Sequence, residues 1–288
     1  MHISSDASTI MERSRGVFFA QWKELLRLVH TVVKTSDPDE IHDLRVATRR
    51  FRAVLELFDP VATKDASTEL KKNIRKLTRV LGGLRNIDEA LIFFQSRLTD
   101  VFSEYKLFQG LSELRSRELK RIERALMAFD HHKSDRMVRE MVAGLHDDCA
   151  DMRENFSLPA YFSDTSIRLF IPIQQLLAVS RVPEHREPRH ALRIAIKKWR
   201  YVLETVAPVL GCDYTAQLGL LKEYQSILGR MNDIAEFEVL LKKLKLPQSE
   251  RVQTETLLQK EDAGLLAEFT ELIEQKPISY TFLTYEAT

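Results

Sequence analysis

Apolar residues recur with a helical period along almost the whole chain, and the alternating runs that are typical of β-strands are absent. Glycine and proline, which interrupt helices, occur only nine times each in 288 residues. The pattern therefore predicts an all-α fold, whose first helix is expected from about Ser8 to Lys34. The buried face of that helix is predicted to consist of Phe18, Trp22, Leu25, Leu26, Val29 and Val33.

The second predicted helix begins after a strong start signal at residues 37–40, Asp-Pro-Asp-Glu. Asp37 is expected at the N-cap and Pro38 in the first turn, while Glu40 is expected to reach back towards the cap. The helix then carries the sequence HDLRVATRRFRAVLELF over residues 42–58. Its N-terminal histidine is therefore expected near the positive end of the helix dipole.

The rest of the chain also predicts helices. Those without an internal break are expected over residues 104–128, 134–154, 165–182, 186–207 and 249–275. Gly82-Gly83 is expected to divide residues 65–98 into two helices, because glycine lets the chain turn. Gly229 is expected to divide residues 213–245 in the same way.

Two pairs of segments in the chain are closely similar. The segment at residues 42–58 matches HALRIAIKKWRYVLETV at residues 190–206, with His, Leu, Arg, Ala, Arg, Val, Leu and Glu in common. LGGLRNIDEALIFF at residues 81–94 matches LGRMNDIAEFEVLL at residues 228–241. Two matches in the same order predict an internal duplication. The predicted repeats are residues 1–156 and 160–288, with a junction at residues 157–164.

The first pair of segments carries a stripe of positive charge. On a helix these residues fall within an arc of about 80°, and apolar residues border both flanks. The stripe consists of His42, Arg45, Arg49 and Arg52 in the first copy and of His190, Arg193, Lys197 and Arg200 in the second, with Arg50 and Lys198 at the margins. We predict that the two stripes face a shared groove. Glu56 and Glu204, one turn further on, are expected to hold the last arginine of each stripe.

Overall composition limits the kinds of partner. The 43 Lys and Arg balance 42 Asp and Glu, so an anion site must come from local segregation of charge. With only two cysteines a disulfide framework is not expected, and a reducing compartment is the default. The N-terminal segment lacks an apolar signal core, and no apolar run has membrane-spanning length. We therefore expect a soluble, cytoplasmic chain with no membrane partner.

These residues resemble the CHAD family, the conserved-histidine α-helical domain. The first matching motif is H-x-L-R-x-x-x-R/K-R/K-x-R, at residues 42–52 and 190–200. The second is L-G-x-L-R-D/N-D, at residues 81–86 and 228–233. Asn86 departs from the second motif, where the family usually has aspartate, so the first half is expected to fix a basic residue less firmly. Since a fused triphosphate-tunnel domain is absent, the chain looks like a stand-alone member.

The resemblance implies two antiparallel four-helix bundles related by a pseudo-two-fold axis, with a basic cavity between them that binds inorganic polyphosphate. It implies no catalytic residues, no cofactor and no metal, and it suggests an association with polyphosphate granules. The expected binding residues are the two stripes with their margins, together with Lys72, Arg75, Arg79, Arg85 and Lys222. Polyphosphate has no bases to stack, and Phe51 and Trp199 fall in the predicted core. Sequence-specific nucleic-acid binding is therefore not expected.

Two other functions remain open at this stage. One is a metal-binding phosphohydrolase or phosphotransfer accessory protein, but neither His42 nor His190 lies in an H-x-x-x-H or H-E-x-x-H pattern. His146 beside Asp147 and Asp148 is an isolated charge-rich stretch. The other is a scaffolding or RNA-binding helical protein. Metal analysis tests the first, and competition between polyphosphate and RNA tests the second.

Overall fold

The computed structural model describes residues 7–35, 37–59, 64–98, 106–151 and 157–282. These parts form nine α-helices and contain no strand, so the predicted all-α fold is confirmed. The helices are α1 (Ala7–Thr35), α2 (Pro38–Phe58), α3 (Lys64–Arg97), α4 (Lys106–Met127), α5 (His131–Asp151), α6 (Leu158–Val179), α7 (Arg186–Leu210), α8 (Thr215–Leu241) and α9 (Gln248–Gln275). Within these parts, no helix combines the length and the apolar character needed to cross a membrane.

The first helix agrees with its predicted bounds and differs at two positions of its buried face, since Leu26 is only half-buried and Val33 is exposed. Phe18, Trp22 and Leu25 are almost fully buried. Val33 is 51% exposed, and Val32 is buried in its place. The buried face of α1 changes along the helix because α1 packs against α2, α4, α5 and α7, which cover different faces along its length.

The start of α2 is as predicted at the N-cap. The Asp37 carboxylate accepts hydrogen bonds from the backbone N–H groups of Asp39 and Glu40, at 2.9 and 3.2 Å. Pro38 occupies the first turn, where its missing N–H costs nothing. Glu40 does not complete a capping box, since its carboxylate accepts a hydrogen bond from the Thr35 hydroxyl. That contact ties the start of α2 to the end of α1.

Both predicted glycine breaks are wrong, because α3 and α8 run without interruption through Gly82-Gly83 and Gly229. Leu81 and Leu84, which flank the glycine pair, are fully buried. Their burial outweighs the roughly 1 kcal/mol by which each glycine disfavours a helix. A Cβ atom at Gly83 would lie 2.7 Å from Glu118 Oε2 on α4, so the absent side chain also lets the two helices approach.

Two further helix ends differ from the prediction. α6 begins at Leu158, with Ser157 as its N-cap, so the predicted junction at residues 157–164 is mostly the first part of a helix. α7 continues past Pro208 to Leu210. Gly211, with a φ of 68°, adopts the left-handed conformation that commonly ends a helix.

The hydrophobic interior consists of two clusters, and α3 contributes to both. Its residues as far as Leu84 pack with α1, α2 and α5, whereas those from Ile87 onwards pack with α7, α8 and α9. α7 also contributes to both clusters. In this helix it is the C-terminal part, with Val206 and Leu210, that belongs to the first cluster, and the earlier part belongs to the second. Each core therefore contains residues from both halves of the chain. The division into sequence repeats stays a prediction, and residues 152–156 at its boundary lie outside the described parts.

Four helices meet in the middle of the molecule. α2 packs against α3 and α7, while α8 packs against α7 and α3. α1 packs on α2 and α4 packs on α3. In the same way α6 packs on α7 and α9 packs on α8, while α5 packs on α1 and α3. This arrangement brings α2 and α7, the two helices with cationic stripes, into direct contact.

Candidate functional site

The contact between α2 and α7 brings their charged stripes together. Arg50 Nε lies 3.7 Å from Glu204 Oε2, which links the two helices at one edge. Further along, Arg193 on α7 is close enough to Arg45 on α2 to lower its pKa. The first arginine of one stripe therefore faces its counterpart in the other.

Five basic side chains form what we call the central cationic cluster: Arg45, Arg49, Arg85, Arg193 and Lys197. Four of these residues have lowered pKa values, and burial is the largest cause in each case: Arg45, Arg85, Arg193 and Lys197. The positive charge of Arg49 contributes to every one of these shifts. The pKa of Arg45 falls to about 9 and that of Lys197 to about 6. At neutral pH the cluster therefore holds four guanidinium charges and a largely uncharged amine.

Several nitrogen atoms at the site have no protein partner. Within the described parts, Arg45 Nε, Arg193 Nε and His42 Nδ1 are buried and make no hydrogen bond. A buried donor without an acceptor costs about 1–3 kcal/mol, and more when it is charged. The free protein thus keeps an unfavourable arrangement that an incoming anion would relieve.

One buried carboxylate lies among these cations. Asp233 on α8 is close to Arg193, Arg85 and Lys197, yet burial outweighs them and raises its pKa. Nearby, Asn86 Nδ2 donates a hydrogen bond of 2.8 Å to Glu236 Oε2, which joins α3 to α8. The polar residues that follow Gly82-Gly83 and Gly229 therefore lie inside α3 and α8, so they are not N-caps. Asn86 and Glu236 join the two helices.

The first histidine lines a cavity of about 290 Å³ between α2 and α3. His42, Arg45, Arg85 and Asp88 supply polar groups to its wall, and Ile41 belongs to its apolar lining. Burial and then Arg85 lower the pKa of His42, although Asp43 opposes them. Arg45 and Arg85 belong both to the wall of this cavity and to the central cationic cluster.

The second histidine has a different environment. His190 is exposed, and its Nδ1 lies 2.8 Å from Asn232 Oδ1. Since an amide oxygen accepts, Nδ1 carries a proton in this contact. Matching positions in the two segments therefore place both histidines at cavities, but His42 is half-buried at one of about 290 Å³ and His190 is exposed at one of about 50 Å³.

The predicted glutamate pairs are confirmed. Arg52 Nη2 lies 3.4 Å from Glu56 Oε1, and Arg200 Nε lies 3.6 Å from Glu204 Oε1. These distances correspond to modest ion pairs that orient the guanidinium groups. Glu204 also contacts Arg50, so this carboxylate serves both helices.

The remaining predicted binding residues are more dispersed. The structure brings Arg85 of α3 into the central cationic cluster but leaves other basic residues on exposed helix surfaces. The exposed ones are Lys72, Arg75 and Arg79 on α3, Lys198 on α7 and Lys222 on α8. Their part in binding stays a prediction.

The described side chains offer no obvious metal site. No group of three or more His, Cys, Asp or Glu residues within those parts is arranged to hold a metal ion. The polar chemistry of the site is instead that of clustered hydrogen-bond donors with positive charge.

Comparison with known proteins agrees with this geometry. A family model described as the CHAD domain matches residues 16–242, which include both histidine motifs and both glycine motifs. The chain belongs to the CHAD family. No curated protein matches it in a sequence comparison.

Two solved structures share this CHAD fold. The CHAD domain from the plant Ricinus communis is 23% identical, with a TM-score of 0.64, and the match covers 96% of this chain and 90% of that one. PptA from Streptomyces chartreusis is 16% identical, with a TM-score of 0.63, and the match covers 93% and 98% respectively. At these identities the likeness is one of fold.

Sequence reasoning missed Asp233 as a member of the site. The residue lies in the second copy of the glycine motif, so the motif match was the available signal. Its burial among Arg193, Arg85 and Lys197 depends on α7 and α8 meeting α3, which no local pattern reveals.

Proposed function

We propose that this CHAD protein binds inorganic polyphosphate, or a similar polyanion, where α2, α3, α7 and α8 meet, and that it does so without catalysing a reaction. The observation that carries this proposal is the central cationic cluster. Mutual repulsion and burial make the cluster unfavourable in the free protein, and a chain of phosphates would supply the missing negative charge and acceptors.

The chemistry of the cluster favours phosphate over other anionic groups. Guanidinium groups offer paired donors that match phosphate oxygens, and an ammonium adds a point charge. Arg45, Arg49 and Arg193 supply the former, and Lys197 supplies the latter once the bound anion has raised its lowered pKa and it has gained a proton. Successive donors along α2 and α7 suit a linear anion with a charge on every unit.

The same site offers little of what single-stranded nucleic acids use. Their binding proteins add aromatic side chains on which bases stack. Phe51, Phe58 and Trp199 in the two matched segments are buried in the cores, and the half-buried Tyr201 has the Arg200 guanidinium over its ring. The structure therefore favours a ligand that consists of backbone charge alone.

Binding can be tested by calorimetry with polyphosphates of graded length. We expect Arg45→Gln and Arg193→Gln each to weaken binding about tenfold to a hundredfold, as for the loss of a charged hydrogen bond worth about 1.5–3 kcal/mol. The matched control is Arg117→Gln, an exposed position on α4. Wild-type affinity in the Arg45/Arg193 double variant would refute the proposed site. Phosphate released from the polymer during the titration would contradict a non-catalytic role.

A further inference from the structure

Lys197 occupies an unusual position inside the central cationic cluster. It lies one helical turn after Arg193 on α7 and is half-buried. The charged groups that act on its amine are Arg193 on its own helix, Arg49 and Arg45 on α2, and Asp233 on α8. An amine at this place is surrounded by groups that suit phosphate.

The amine is also uncharged near neutral pH. Burial and then the neighbouring arginines lower the pKa of Lys197 to about 6. At pH 7 about nine-tenths of its amine is then unprotonated, against roughly one part in 2,500 for an ordinary lysine. A desolvated lysine beside other cations is an activated nucleophile.

We propose that Lys197 accepts an acyl group from small acyl phosphates, with the phosphate held by the guanidinium groups of the cluster. The Nζ lone pair attacks the carbonyl carbon, and the bond from that carbon to the phosphate oxygen breaks. Inorganic phosphate leaves, and the nitrogen releases one proton to solvent. The product is an amide at Lys197, and no oxidant or other reactant is needed.

The cluster favours this class of donor for two reasons. Arg49 and Arg193 bind the phosphate group and so place the carbonyl beside the amine. They also stabilise the negative charge that develops on the departing phosphate. An uncharged acyl donor gains neither effect. Faster reaction with acyl phosphates than with uncharged acyl donors is therefore the property that distinguishes this site.

Acylation would also regulate the proposed function, on which this consequence rests. Lys197 can gain a proton when a polyanion binds, because nearby negative charge favours the ammonium form. An acylated lysine cannot, so the modified protein would have one ionic contact fewer. We expect the salt dependence of polyphosphate binding to fall by about 0.7 per lost contact.

The test uses acetyl phosphate with the wild-type protein and reads acetylation at each lysine by mass spectrometry. Lys198, the exposed neighbour on the same helix, is the matched control. We expect Lys197 to react at least tenfold faster at pH 7 and its rate to stay level from pH 7 to 9. The rate for a short lysine-containing peptide should instead rise about tenfold per pH unit, as the fraction of free amine in an ordinary lysine does. Equal rates at the two lysines, or parallel pH profiles for Lys197 and the peptide, would overturn the inference.

A variant separates phosphate binding from amine reactivity. Because Arg49 helps to lower the pKa of Lys197, the variant is compared at pH 9, where the amine stays largely unprotonated. There Arg49→Gln should slow acetylation of Lys197 by acetyl phosphate several-fold and leave acetylation by an uncharged active ester no slower. Equal slowing with both reagents would overturn the role of the phosphate. Polyphosphate binding by the unmodified protein is measured alongside. Selective acetylation of Lys197 without polyphosphate binding would refute the proposed function alone. Polyphosphate binding without selective acetylation of Lys197 would refute only this inference.

Discussion

Replacing Lys197 with methionine should stabilise the free protein, and by an amount that depends on pH. Methionine keeps most of the unbranched stem and removes the amine. In the folded protein the pKa of that amine falls from 10.5 to about 6 because of burial and then the adjacent arginines. Between these two values the unfolded chain holds a proton that the folded chain lacks, so the lysine costs stability at neutral pH.

The size of the effect follows from the shift in pKa. Each unit between the pH and the unfolded-state value corresponds to about 1.4 kcal/mol. Lys197→Met should therefore raise the free energy of unfolding by on the order of 5 kcal/mol at pH 7 and by about 2 kcal/mol at pH 9. The wild type recovers stability as pH rises, since the unfolded chain then loses its extra proton.

Urea denaturation at the two pH values, followed by circular dichroism, measures this difference. Lys198→Met is the control, because substitution of an exposed residue changes stability by no more than about 0.5 kcal/mol. A gain for Lys197→Met that is equal at pH 7 and pH 9, or a loss at pH 7, would refute the buried, uncharged amine.

Three other predictions concern the histidines, the glycines and the N-cap. Polyphosphate affinity should rise as pH falls through the histidine range, because bound phosphate raises the lowered pKa of His42; the His42→Gln/His190→Gln variant should lose part of this dependence in calorimetry at pH 6 and pH 8. Gly82→Ala should stabilise the protein by about 0.5–1 kcal/mol in denaturation, since α3 is continuous there and no atom lies within 4 Å of the new Cβ; a loss would indicate a turn. Asp37→Ala should cost about 0.5–2 kcal/mol by the same measurement, and no change would mean that its two backbone hydrogen bonds do not stabilise α2.

Local patterns were sufficient for the positions of most helices and for the charged faces. The period of apolar residues located α1 and α9 almost to the residue, and the cap at Asp37 located the start of α2. The stripe on α2 and its match on α7 followed from spacing alone. These features depend on neighbours three and four residues away, which the sequence states directly.

Features that depend on tertiary contact were not predictable. Burial of Leu81 and Leu84 keeps α3 helical through its glycines, although their local preference is to end a helix. His42 and His190 have matching positions in sequence but differ in exposure, since the first is half-buried at a cavity of about 290 Å³ and the second is exposed at one of about 50 Å³, where it meets Asn232. The lowered pKa of Lys197 likewise requires arginines from another helix.

The salt dependence of polyphosphate binding tests the central claim most directly. By the rule for single-stranded polyanions, six to eight ionic contacts give a slope of log K against log salt of about −4 to −6. Calorimetry across a range of salt concentrations should show this slope. RNA of equal charge should compete poorly, because Tyr201, an aromatic side chain beside the cluster, is half-buried and lies under the Arg200 guanidinium. An affinity that hardly changes with salt, or RNA binding as tight as polyphosphate binding, would contradict the account.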